Sequence, residues 1–266
     1  MPKNMIACAL FLIGLVRAVQ GQSGPSAEEY VRLAVDFNKN LDRDSAVENY
    51  EKAAVEFQKQ GNVEQFVNAN NQIGIILTRQ DKYEKARAHL DKALSTGLPS
   101  LGADHLLIAT TYISLGVVSS AENKFDESLT FHDKALKIRL LKLGKNHAEV
   151  ATSYGNIGNV YFRKKEYGQA IKAHAAAMRI REKVFGRDSP EIVESYRGLA
   201  NAYREQKSYK KSLSYFEKAL ENKLKQLGPG HKELARYYKN IGEVHLLAGD
   251  EVKSDEFARK AEEIEK

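Results

Sequence analysis

The chain has 266 residues, 42% of them hydrophobic and 29% charged, with no Trp and 5 Pro. That size and mix suit one large domain or a repeat array rich in helix, and exclude a collagen-like or disulfide-dense class. The formal charge of +6 arises from 41 basic residues set against 35 acidic ones, and no basic run of the kind that marks a nucleic-acid binder stands out.

The N-terminal stretch MPKNMIACALFLIGLVRAVQGQS differs from the rest. Lys3 opens it, an apolar segment runs from Met5 to Val16, and small residues surround Ala18 and Gly21. This is the anatomy of a secretory signal peptide, and the apolar segment falls short of the roughly 20 residues that span a bilayer. Residues 1–21 are therefore expected to be a signal peptide, cleaved after Gly21 or alternatively after Ala18. A buried N-terminal helix is the competing reading. Residues 22–266 are expected to be the mature domain, secreted or periplasmic, with no stable membrane insertion. Cleavage would remove Lys3 and Arg17, taking the charge from +6 to +4, and with them Cys8, the one cysteine. The mature chain would then have no disulfide, thiol nucleophile or cysteine metal site.

The remainder repeats. LGAD precedes His105, LGKN precedes His147, FGRD precedes Ser189 and LGPG precedes His231, each 42 residues after the last. A period held over four units is a repeat signal, and it identifies His147 as punctuation rather than a catalytic residue. With Ala151 as position 1, position 4 is Tyr154, 7 is Ile157, 8 is Gly158, 11 is Tyr161, 17 is Tyr167, 20 is Ala170, 24 is His174 and 27 is Ala177. The same register starts near residues 27, 67, 109, 151, 193 and 235.

Positions 4, 7, 8 and 11 form one face of a first helix, and 20, 24 and 27 one face of a second. Small residues at 8 and 20 let the two backbones approach. His132 and His174, at position 24, are expected in the packing face. Two departures stand out: Glu251 replaces the aromatic at position 17 of the last unit, and Gly97 and Pro99 are expected to end the second unit's second helix early. Pro190 suits a first helical position, so Ser189 or Asp188 is the expected N-cap, with His147 in the equivalent turn. Residues 251–266, mostly charged, are expected to form a solvated terminal cap.

This pattern resembles the tetratricopeptide repeat, in the 42-residue variant with an LGxxH linker that kinesin light chains carry, over residues 27–266. The resemblance implies an all-α fold, a right-handed α-solenoid of about six antiparallel helix pairs. It also implies that positions 2, 5, 6, 9, 12 and 13 of the first helices line a concave groove that holds an extended peptide. Asn156, Asn159 and Arg163, then Arg197, Asn201 and Arg204, then Lys239 and Asn240 fall on those positions. Asn can donate to and accept from a peptide backbone, and Arg can hold a carboxylate bidentately. Earlier units place Asn71, Ile113 and Val117 there, so the groove reads as more apolar towards the N-terminal end.

Glu194, Glu205 and Glu243 dilute the positive charge, and Arg–Glu pairing across the groove is the plain alternative to ligand binding. The sequence shows no HExxH, GxxxxGK[ST] or GxSxG motif, and no catalytic residue, metal site or cofactor is assigned. Some repeat proteins of this style resemble the front half of caspase-like proteases, whose Cys–His pair the mature chain would lack. The expected function is non-catalytic: a scaffold that binds a protein partner's extended, partly acidic segment, not nucleic acid. The alternative is a structural module that self-associates or docks through its convex face or ends. The oligomeric state stays open.

Overall fold

The computed structural model describes residues 24–266; the expected signal peptide lies outside them. Two compact units divide the described residues, 24–122 and 123–266. The first holds α1 (Ala27–Lys39), α2 (Arg43–Lys59), α3 (Val63–Thr78), α4 (Tyr83–Leu101) and α5 (Leu106–Ala121). The second holds α6 (Phe125–Leu143), α7 (Ala148–Arg163), α8 (Tyr167–Phe185), α9 (Val193–Glu205), α10 (Tyr209–Leu227), α11 (Ala235–Leu247) and α12 (Glu251–Glu265). Short 3₁₀ turns, Pro190–Ile192 and Lys232–Leu234, precede α9 and α11. The described residues contain no strand. Within each unit every helix packs on the next, and α3 on α5 and α7 on α9 also touch, so the fold is an α-solenoid of stacked helix pairs.

The helix ends explain the 42-residue period. Gly102, Gly144, Gly186 and Gly228 close the second helices at φ between 77° and 89°, a left-handed backbone that only glycine adopts without strain. The next first helix is then capped by the linker histidine. Nδ1 of His105, His147 and His231 accepts the amide N–H two residues on, from Leu107, Glu149 and Glu233, each at 3.2 Å. These histidines are the expected punctuation, doing what Ser or Asp does at an ordinary N-cap. Ser189 takes the capping position in its linker, but its hydroxyl makes no capping bond. Buried Asn222 on α10 holds that turn instead, donating to the carbonyls of Arg187 and Ser189 at 3.1 and 3.2 Å. Isoleucine occupies the equivalent place at Ile138, Ile180 and Ile264.

The second repeat's second helix does not end early. α4 runs 19 residues to Leu101, the same length as α6, α8 and α10, with Pro99 in its last turn. There Pro removes the one N–H that would reach the Ser95 carbonyl, and the ladder still continues to the Gly102 N–H on the Leu98 carbonyl at 3.2 Å. Gly97 is a packing residue: a Cβ on it would lie 2.8 Å from Ile108 and 3.0 Å from Val67.

The same close approach recurs at position 8. A Cβ on Gly74 would meet the Leu90 side chain at 2.6 Å, and one on Gly158 would meet the His174 ring at 2.8 Å. Gly198 on α9 also abuts that ring, at 2.6 Å, so His174 fills the space between α7 and α9. His132 and His174 are buried, and burial, with Arg139 and Arg181 adding a smaller push, lowers the pKa of each to about 4. The two arginines then cross to the next repeat. Buried Arg139 donates to the Ser153 hydroxyl and the Glu149 carbonyl, both at 3.0 Å, and pairs with the Glu149 carboxylate at 3.1 Å. Arg181 donates to the Ser195 hydroxyl at 2.6 Å. The terminal helix packs Phe257 against His245, with Ala261 buried, and exposes a mostly charged outer face.

Two outcomes follow from this packing. Gly158→Ala should overpack the His174 contact and cost about 1–3 kcal/mol. Gly168→Ala, at an exposed helical site where a Cβ would meet only the Gln206 side chain at an ordinary 3.7 Å, should instead stabilise by about 0.4–1 kcal/mol. Chemical denaturation of both variants checks the pair, and a neutral Gly158→Ala result would refute the assigned register.

The second outcome concerns acid. Unfolded histidine protonates near pH 6.5, whereas folded His132 and His174 hold out to about 4. Their contribution is complete above the unfolded value and declines as pH falls from there towards the folded one, by up to about 3 kcal/mol each. His132→Leu with His174→Leu installs the residue found at Leu90. The drop in melting temperature between neutral pH and about pH 4.5 should be smaller in this double variant than in wild type.

Candidate functional site

In the second unit, α7, α9 and α11 supply the positions that the sequence reading assigns to a ligand. Asn156, Asn201 and Asn240 are half-buried and Asn159 is exposed. Among the described residues none of these four side chains has a hydrogen-bond partner. A side-chain amide carries two donors and two acceptor sites, so each is left with its full capacity for another molecule. Gly155 and Gly198 lie on the same helices, but a Cβ on either would point at the neighbouring second helix, towards the Arg181 guanidinium and into the His174 ring, so these glycines serve packing.

The cations beside them are engaged. Arg163 donates to Asn123 Oδ1 at 3.0 Å and sits over the Phe125 ring at 5.4 Å. Arg197 pairs with Glu194 at 2.6 Å. Arg204 reaches Glu205 at 3.3 Å and, from α9 to α11, Glu243 at 2.7 Å. Lys239 holds both carboxylate oxygens of Glu265 at 2.6 and 2.8 Å. Of these, only Arg204–Glu243 is a pairing across neighbouring first helices, the plain alternative in the sequence; Arg197–Glu194 lies within α9 and Lys239–Glu265 reaches α12. Such exposed pairs are individually weak, so a ligand carboxylate could exchange with a resident glutamate at little net gain or loss.

In the first unit, α5 presents Ile113 half-buried and Val117 42% exposed. Asn71, expected on the ligand-facing line, is fully buried instead and donates weakly to the Leu107 carbonyl at 3.4 Å. It joins α3 to the start of α5. Position 5 of this repeat thus serves the contact between α3 and α5 and not a ligand-facing line.

Sequence reasoning missed two inward-turned arginines, Arg139 buried and Arg181 half-buried. Their signal was present: Arg139 and Arg181 stand 42 residues apart, with Lys223 at the next equivalent place bonded to Glu233 at 3.3 Å. It also missed a cavity of about 430 Å³ lined by Met178, Glu182, Arg187, Tyr196, Tyr215 and Asn222. Glu182 stands where Leu98, Leu140 and Leu224 stand in other repeats. Its carboxylate is taken by Arg187, and Asn222 holds the adjacent turn, so these polar replacements brace the linker that lacks histidine. Among the described residues no three His, Cys, Asp or Glu side chains gather closely enough to hold a metal ion.

Known proteins place this architecture. Residues 65–141, 120–183, 149–225 and 198–266 match the family profile described as Tetratricopeptide repeat. No curated protein matches the chain significantly. Among solved structures, BtubC (BKLC) from P. vanneervenii superposes with a TM-score of 0.71 at 19% identity, over 89% of this chain and 91% of that one. A putative kinesin light chain with nearly identical TPR-like repeats from Podosopora anserina gives 0.67 at 14%, over 75% and 94%. The apo form of RapI gives 0.65 at 14%, over 90% and 97%. At these identities the likeness is one of fold. The helix-pair stacking and the profile matches agree, and the chain belongs to the tetratricopeptide repeat family.

Proposed function

We propose that this chain is a non-catalytic, exported scaffold that holds an extended peptide segment of a partner protein on the first-helix face of its second unit. The observation that carries this reading is the set of four asparagine amides on α7, α9 and α11 that no other side chain or backbone group of the described residues satisfies. Unpaired amides in a row suit the alternating N–H and C=O groups of an extended backbone. The family's general use as a protein interaction module points the same way.

The segment is partly acidic in this reading. Arg197, Arg204 and Lys239 each hold a glutamate that a ligand carboxylate can replace. Because the exchange swaps one carboxylate for another, the amides supply most of the affinity and the cations set orientation. Ile113 and Val117 give the corresponding position of the first unit an apolar character.

A pull-down with the mature chain followed by mass spectrometry identifies the partner, and titration then tests the site. Asn159→Ala, Asn201→Ala and Asn240→Ala together should weaken binding more than tenfold, since each amide hydrogen bond contributes about 0.5–1.5 kcal/mol. Arg197→Ala alone should cost less than that. If the triple variant binds within twofold of wild type with unchanged helical circular dichroism, the first-helix face is not the site.

A further inference from the structure

Four departures from the repeat meet at one cavity. Met178 stands where Leu94, Leu136 and Leu220 stand in other repeats, and Glu182 where Leu98, Leu140 and Leu224 do. Asn222 takes the place of Ile138, Ile180 and Ile264. Tyr215 takes that of Phe131 and Phe257 and adds a hydroxyl to the ring. All four line the cavity of about 430 Å³. One repeat further on, the same places hold Leu220, Leu224, Phe257 and Ile264, which belong to or pack on one apolar cluster. Bracing the linker explains Glu182 and Asn222. It explains neither Met178 nor Tyr215.

The walls are stripes of two second helices. Met178 and Glu182 lie one turn apart on α8, and Tyr215, Lys218 and Asn222 follow one another on a face of α10. Tyr196 of α9 supplies a third side. It is only 7% exposed, and its hydroxyl makes no hydrogen bond among the described residues. A buried polar group without a partner calls for a reason, and this one lines the cavity. Burial raises the pKa of Tyr196 and of Tyr215, so both phenols stay neutral.

The charges are ordered by depth. The Glu182 side chain is 30% exposed, whereas Arg187, which bonds one of its oxygens, is 79% exposed. The other oxygen accepts no hydrogen bond among the described residues. Asp188 and Glu221 share Lys225, at 2.7 and 3.0 Å. Exposed Lys218 lies over the Tyr215 ring at 5.1 Å and has no carboxylate partner among the described residues. The cavity thus keeps an open carboxylate oxygen on the α8 wall and an open ammonium group on the α10 wall.

We propose that this cavity binds a small zwitterion, with a methylated ammonium group on the Tyr196 and Tyr215 rings beside Glu182 and an anionic group a few bonds away on Lys218. The volume is that of a small-ligand site. Aromatic faces attract cations, and these two rings are neighbours, with centroids 6.2 Å apart and planes inclined at 34°. Met178 adds a soft apolar contact. Methylation decides between cations: a hydrated ammonium must give up its water to enter, whereas a quaternary one loses less and still gains from the rings. A simple anion would face Glu182 and a simple cation would face Lys218. A ligand with both signs pairs each. The site uses other side chains than the asparagine amides and stands whether or not those hold a peptide.

The test is calorimetric titration of the full chain with glycine betaine, choline and acetate. Glycine betaine is expected to bind with a Kd on the order of 1 mM, choline severalfold more weakly and acetate not at all. Glu182→Gln should weaken glycine betaine and choline about tenfold. Lys218→Gln should bring glycine betaine down to the affinity of choline without weakening choline. Met178→Leu with Glu182→Leu installs the residues of the neighbouring repeats; this variant should melt no lower than wild type and bind neither ligand. Free solutes and the phosphocholine headgroup share this chemistry. Glycerophosphocholine binding more tightly than glycine betaine assigns the headgroup, and the reverse order assigns a free solute. No saturable binding of glycine betaine at concentrations on the order of 10 mM overturns the proposal. So does binding that Glu182→Gln leaves unchanged, and so does acetate binding as tightly as glycine betaine, which would make this an anion site.

Discussion

Everything else in this molecule depends on how closely a first helix and a second helix approach at position 8. Where that residue is Gly74 or Gly158, the side chain at position 24, Leu90 or His174, fills the room that a Cβ would take. His174 also lies against Gly198 of the following repeat. One side chain therefore fixes both the packing inside a pair and the packing between pairs. That is why no repeat is stable alone and why the period cannot drift: a residue inserted between Gly158 and Gly198 would move one glycine off the ring. The energy of the array is a sum of such neighbour contacts, and each one depends on atoms from two or three helices at close-packed density.

The linkers obey the same constraint by different chemistry. A left-handed glycine turns the chain, and a histidine three residues later caps the next helix. The linker without histidine shows that these parts are coupled. Ser189 leaves its hydroxyl unbonded, and Asn222 and the Glu182–Arg187 pair, at sites that are isoleucine and leucine elsewhere, supply the missing restraint. Three departures from the repeat thus compensate one another, in a place where each alone would count as a defect. Buried polar groups of this kind persist only when their hydrogen bonds are made.

Periodicity made the helix pairs, the packing role of Gly158 and the punctuating role of His147 readable from the residues alone. It misled where one residue type serves two purposes. Gly97 and Pro99 look like helix breakers, yet Gly97 is required by Ile108 and Val67, and α4 continues past both. Asn71 matches the groove register but is consumed by a backbone carbonyl. Pairing is the part that spacing cannot convey. Arg163, Arg197, Arg204 and Lys239 were visible as cations, whereas their partners lie between one and 40 residues away and are brought close only by the stacking. Net charge was visible too, but not its segregation onto α8 and α10, because consecutive residues on a helix point in different directions.

That segregation bears on how a scaffold of this kind discriminates. On α7, α9 and α11 each arginine and lysine has an acidic or amide partner, so that face carries little long-range field, and the proposed recognition there works by contact, through amides whose hydrogen bonds are directional and insensitive to salt. On α8, Lys172, Arg179 and Lys183 are exposed with no partner among the described residues, and their field extends into solvent. Both faces are held in place by the buried contacts at positions 8 and 24. The packing that sets the period thus also separates the two faces: side chains that face a neighbouring helix are chosen by volume, and only those that face away remain available for charge.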